Sequence, residues 1–104
     1  MVYKLNKSHK AEEDIFGILD YMIETLDSIS AARNFYKSLN ACYNRLYKYP
    51  YMYPICRDEL LASKGFRCAP VMKYVLFYKI DEEKNIVKIH RIVHGTMNYP
   101  EIQD

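Results

Sequence analysis

The chain has 104 residues, half of them hydrophobic, enough for one domain with a modest core and too few for two. Its formal net charge of +2 is segregated: residues 1–27 carry three lysines against six acids, residues 28–80 nine bases against Asp58 and Glu59, and residues 81–104 three bases against five acids. No apolar run approaches the roughly 20 residues that span a bilayer, and Met1 to Lys7 holds no secretory h-region, so a cytoplasmic protein with no membrane partner is expected.

Val2 to Lys7 alternates in polarity and reads as a short first strand. Ser8 stands where a helix N-cap belongs, and Glu12, Glu13 and Asp14 suit the positive end of a helix dipole. Ala11, Ile15, Ile18, Met22 and Leu26 recur at three and four, which predicts an amphipathic helix over 9–26. Asp27 to Ser30 breaks it. Ala32, Phe35, Leu39, Cys42, Leu46 and Tyr49 form a second stripe, predicting a helix over 29–49 that packs antiparallel on the first and is closed by Pro50. Residues 50–64 have two prolines and no clean period; they read as a loop with a short turn at Asp58–Ser63.

Gly65 to Ala69 then reads as a strand ended by Pro70. Met72 to Ile80 is apolar on both faces, as a central strand is. Asp81 to Asn85 is a polar turn, and Ile86 to Val93 is the partner strand of a hairpin. The order β-α-α-β-β-β predicts an α+β fold, an antiparallel-rich sheet with one face covered by a helical hairpin, in a single domain over 1–104.

Three widely spaced cysteines, Cys42, Cys56 and Cys68, form no CxxC pair. Free thiols in a reducing compartment are the expectation, and no metal or cofactor is predicted. Eleven tyrosines, with no tryptophan, suit rims and interfaces where a ring is buried and a hydroxyl stays wet. The basic middle of the chain fits an acidic partner or a nucleic acid, and equally a solvated helix face.

Four stretches together resemble the RelE/ParE toxin superfamily, the plasmid-stabilisation type of toxin in type II toxin–antitoxin systems. They are the opening strand leading to Ser8, Ala11, Asp14, Ile15, Ile18 and Tyr21; Ala32, Leu46 and Pro50; Gly65-Phe66-Arg67 with Tyr74 to Asp81; and Val87, Ile89 and Arg91 to Gly95. The resemblance implies a bacterial growth inhibitor blocked by an antitoxin from the adjacent gene. It implies two possible targets, DNA gyrase for the ParE branch and ribosome-bound mRNA for the RelE branch, the latter a metal-free endoribonuclease.

Metal-free RNA cleavage needs proton transfer at the 2′-hydroxyl and leaving oxygen, and cations on the pentacoordinate phosphate. RelE-like nucleases resemble one another in an arginine within the central strand and another after the last strand. Those positions fall near Val75 and Thr96 here, and neither is basic. A substituted site would draw on Arg67, Arg91, His94 and Tyr99, with Lys73 nearby. Each has a structural alternative: Arg91 pairing with a helix acid, His90 and Arg91 pointing to opposite faces, Tyr74 and Tyr78 filling core. The missing arginines favour a ParE-like toxin. A substituted RelE-like nuclease and a non-toxic binding module of the same fold are the alternatives.

Overall fold

The computed structural model describes residues 3–96. Strand β1 (Lys4–Lys7) leads to helix α1 (His9–Asp20), whose N-cap Ser8 accepts the amide of Ala11 at 2.9 Å. The helix then loosens into a π-helical turn over Tyr21–Thr25, with Leu26 N–H reaching Tyr21 O and Ser28 N–H reaching Met22 O. This departs from the regular helix expected through residue 26. Widening the turn rotates the later positions, so Leu26 leaves the core stripe and is half exposed. Asp27 adopts a left-handed backbone (φ 49°) that reverses the chain, and Ser28 caps helix α2 (Ile29–Lys48).

Residues 58–63 form a short helix rather than a turn: α3 (Glu59–Ser63) is capped by Asp58, which accepts the amide of Leu61 at 3.0 Å. Strands β2 (Arg67–Val71), β3 (Tyr74–Asp81) and β4 (Ile86–His94) follow. The strand order is β1-β4-β3-β2; β4 pairs antiparallel with β3, and β3 with β2, whereas β1 runs parallel to β4. Pro70, expected to end β2, lies inside it. Cys68 N–H points outward to Pro54 O (3.2 Å), so the proline nitrogen two residues on also faces away from β3 and costs no ladder bond.

The two helices close the front face. Phe35, Leu39, Cys42 and Leu46 of α2 and Ala11 of α1 are buried against Val71, Leu76, Tyr78, Val87, Ile89 and Ile92. The back face is closed by a strap of residues 54–66, which buries Leu61 and Phe66 on Phe77 and Val93. The strap is joined to the edge strand by a Cys56–Cys68 disulfide, Cα atoms 5.2 Å apart. That corrects the expectation of three free thiols. An antiparallel bridge between Ile55 and Arg67 puts the two cysteines on one face as diagonal neighbours, which their spacing in sequence did not reveal. Cys42 alone is free; its burial raises the thiol pKa.

Candidate functional site

At one end of the sheet β4 outruns β1. The last pair between them is Lys7 with Ile89, so among the described residues β4 beyond it has an edge with no strand neighbour. A bulge gives β4 one extra residue opposite the Phe77–Tyr78 step. The bulge turns His90 to the back, where its ring meets Phe66 edge-on at 4.9 Å, and turns Arg91 around the open edge toward α1. There Asp14 receives Arg91 bidentately (Nε 2.7 Å, Nη2 3.1 Å) and also accepts the Ile92 amide at 3.0 Å. One carboxylate therefore fastens α1 to the strand edge in place of a further β1 residue. Both side chains are largely buried, so the pair is a structural clasp.

Above this clasp lies a groove of about 800 Å³ between the open edge of β4, the late turns of α1 and the β2–β3 turn. Ile18, Tyr21, Met22 and Leu26 form one wall, and Met72 to Tyr74 with Ile92 to His94 form the other. Met72 holds a left-handed backbone (φ 56°) in the two-residue turn, a conformation that costs an L-residue about 1–2 kcal/mol. The polar groups on the rim are Glu13, Asp14, Lys73, Arg91, His94 and Thr96. His94 Nδ1 is 2.7 Å from Thr96 Oγ1 and also meets the Thr96 amide, while its ring packs edge-on against Tyr74. Burial raises the Tyr74 phenol above its ordinary pKa.

The groove thus unites three of the residues singled out from sequence: Lys73, Arg91 and His94. It does not include Arg67, which pairs with Tyr78 while His94 pairs with Tyr74. Four strand residues place them roughly 13 Å apart along β3. Arg67 donates to Tyr53 O at 2.6 Å and stacks on the Tyr51 ring at 5.0 Å, pinning the segment after α2. Tyr51 in turn donates to Glu82, a bond that pushes its pKa up to about 12. Tyr78 fills the front core, and its hydroxyl donates to Pro50 O. Tyr99 lies outside the described residues. Val75, near which the resemblance put a central-strand arginine of the nuclease branch, packs against the back core. Among the described residues no three His, Cys, Asp or Glu side chains converge as metal ligands, and no helix is long and apolar enough to cross a membrane.

A second surface lies on the helical hairpin itself. On the outer side of the helical hairpin, Leu19, Ile23, Ile29, Ala32 and Tyr36 line a shallow apolar depression bordered by Arg33 and Lys37. Ile29 is 62% exposed and Tyr36 55%, and Phe16 close by in sequence is 73% exposed. Its signal was present: Phe16 with Ile23, and Ile29 with Tyr36, are apolar pairs seven apart, off the core stripes. A helix with two apolar faces has a second face to cover.

The family model described as ParE toxin of the type II toxin–antitoxin system parDE matches residues 5–99. Among solved structures, the chain resembles one from the chromosomal ParDE system of P. aeruginosa, with TM-score 0.70 and 16% identity over 89% of this chain and 96% of that one. It resembles one from the toxin–antitoxin complex RelBE2 of Mycobacterium tuberculosis, with TM-score 0.62 and 22% identity over 90% and 99% of the two chains. A third similarity is to the archaeal RelE–RelB complex of Pyrococcus horikoshii OT3, with TM-score 0.59 and 10% identity over 94% and 100%. No curated protein matches.

Proposed function

This chain belongs to the ParE toxin family of type II toxin–antitoxin systems, and from that premise we propose that it inhibits growth by binding DNA gyrase rather than by cutting mRNA. The observation that carries this reading is the employment of its bases. Arg91 is clasped by Asp14, Arg67 is spent on the carbonyl of Tyr53, and His94 is tied to Thr96. A metal-free nuclease needs cations aimed at a phosphate and a base free to take a proton. Here Arg91, Arg67 and His94 are all engaged within the chain. What the molecule offers instead are surfaces, an apolar groove beside an open strand edge and an apolar depression on the hairpin.

The hairpin depression suits the antitoxin. An amphipathic helix lies well in a shallow apolar trough, and Arg33 with Lys37 on its border would meet acids flanking that helix. Apolar contact has to supply much of the affinity, because α1 itself carries Glu12, Glu13, Asp14 and Asp20. Solved relatives of the fold come from toxin–antitoxin complexes, which supports such a partner.

The test is pulse-labelling of DNA and protein synthesis after induction without antitoxin. DNA synthesis should fall first while translation continues, and Lys73→Ala/His94→Ala should remain toxic. Early loss of translation, abolished by that double variant in a folded chain, would establish the nuclease reading, which the meeting of Lys73, Arg91 and His94 at one groove favours. No effect on either synthesis would leave a binding module. Ile29→Asp/Tyr36→Asp should weaken antitoxin capture at least ten-fold by calorimetry.

A further inference from the structure

We propose that Cys56–Cys68 is a reversible redox latch on the strap that closes the back of the sheet. Beside this bond the strap is held by the rings and charge around Phe66, which meets His90 edge-on at 4.9 Å and lies 5.2 Å below Lys79 Nζ, and by backbone pairing at its two ends. Cys56 N–H donates to Phe66 O at 2.9 Å, Cys68 N–H to Pro54 O at 3.2 Å, and one bridge joins Ile55 to Arg67. The core beneath it is small, with Leu61 and Phe66 of the strap on Phe77 and Val93. The covalent bond spans twelve positions and removes much of the freedom the open strap would have. A latch is expected to matter most where the noncovalent closure is weakest.

The surroundings make the bond reducible at one sulfur. Cys56 is 4% exposed, whereas Cys68, on the sheet edge, is only partly buried. The thiolate of a dithiol or small-thiol reductant attacks Sγ of Cys68 and forms a mixed disulfide. The S–S bond breaks, and Cys56 leaves as a thiolate that takes up a proton. A second reductant thiolate attacks the reductant's sulfur, releasing Cys68, which is protonated in turn. The protein gains two electrons and two protons, and the reductant becomes its own disulfide. Oxidation reverses each step. The remaining thiol, Cys42, is wholly buried on the opposite face, so it does not compete for either partner. Reduction frees the strap while the helical hairpin and the groove keep their attachments, so a change of redox state acts on one face of the molecule.

The experiment takes the full chain through mixtures of reduced and oxidised glutathione. Thiols counted in denaturant should pass from one to three as the mixture becomes reducing, and return on reoxidation. Trypsin cleavage at Arg57 and Lys64 should quicken at least ten-fold on reduction, and the thermal midpoint should fall by roughly 10 °C or more. Cys56→Ala/Cys68→Ala should be cut at the fast rate with or without reductant, whereas Cys42→Ala should keep the wild-type response. Three thiols in every mixture, one thiol in every mixture, or equal cleavage rates before and after reduction would each overturn the latch.

Discussion

Among the described residues the front of the sheet buries fourteen in one cluster, drawn from two helices, the π-helical turn and three strands, while the back buries five under a strap and a disulfide. Each front residue is held by neighbours that cannot move independently, because α2 runs across the sheet for 20 residues. The strap can shift as a unit. The same apolar side chain should therefore be worth more on the front than on the back, since a rigid wall keeps a cavity open and a mobile one settles into it. Phe35 and Phe66 are both fully buried and make the matched test. Phe35→Ala should cost about 4 kcal/mol by urea denaturation, and Phe66→Ala closer to about 3 kcal/mol in the oxidised protein. Equal or reversed costs would break the comparison.

The clasp between Asp14 and Arg91 sharpens it, since it joins the front to the stretch of β4 that runs beyond β1. Removing Asp14 strands a guanidinium that is only 19% exposed and leaves the Ile92 amide without its acceptor. Asp14→Ala should cost about 2–3 kcal/mol, and Asp14→Asn less, because an amide oxygen still accepts from Ile92. The double variant Asp14→Ala/Arg91→Ala should recover part of the loss in a double-mutant cycle. Strict additivity would mean that the clasp contributes geometry without coupling.

The same contrast explains what could be read from the residues. The front follows from periodicity. Ala32, Phe35, Leu39, Cys42 and Leu46 repeat at three and four and are all buried, and Tyr74 to Tyr78 forms the expected central strand. The resemblance likewise led to the family. The back has no period to follow, because Leu61 and Phe66 are brought together by a short helix and a turn, and the disulfide depends on a bridge between segments a dozen residues apart. The π-helical turn was equally invisible, since Met22 and Leu26 keep a spacing that suits an ordinary helix. At the site, pairing of Arg91 with a helix acid was among the readings open from sequence, but Arg67 and His94 could be separated only once β2 and β4 had been placed against β3. Spacing along a chain says which side chains share an element; it does not say which end of a sheet they occupy.

Tyr78 belongs to both regions and gives the smallest and most specific test. Its ring fills the front core, and its hydroxyl donates at 2.7 Å to Pro50 O, where the chain leaves α2 toward the back strap. Tyr78→Phe keeps the ring and deprives that carbonyl of its donor, which should cost about 1–2 kcal/mol at neutral pH. Burial raises the pKa of this phenol, so the folded chain holds a proton that the unfolded chain releases near pH ~10. The stability tied to that proton is fully present below the unfolded value and is lost as pH rises above it. Phenylalanine has no such proton. The wild type should therefore lose stability faster than the variant between neutral and strongly alkaline pH, and the gap between them should narrow. A gap that stays constant across that range would assign the alkaline loss to Tyr43, whose pKa burial also raises, and would leave the Pro50 bond as a fastening with no pH dependence of its own.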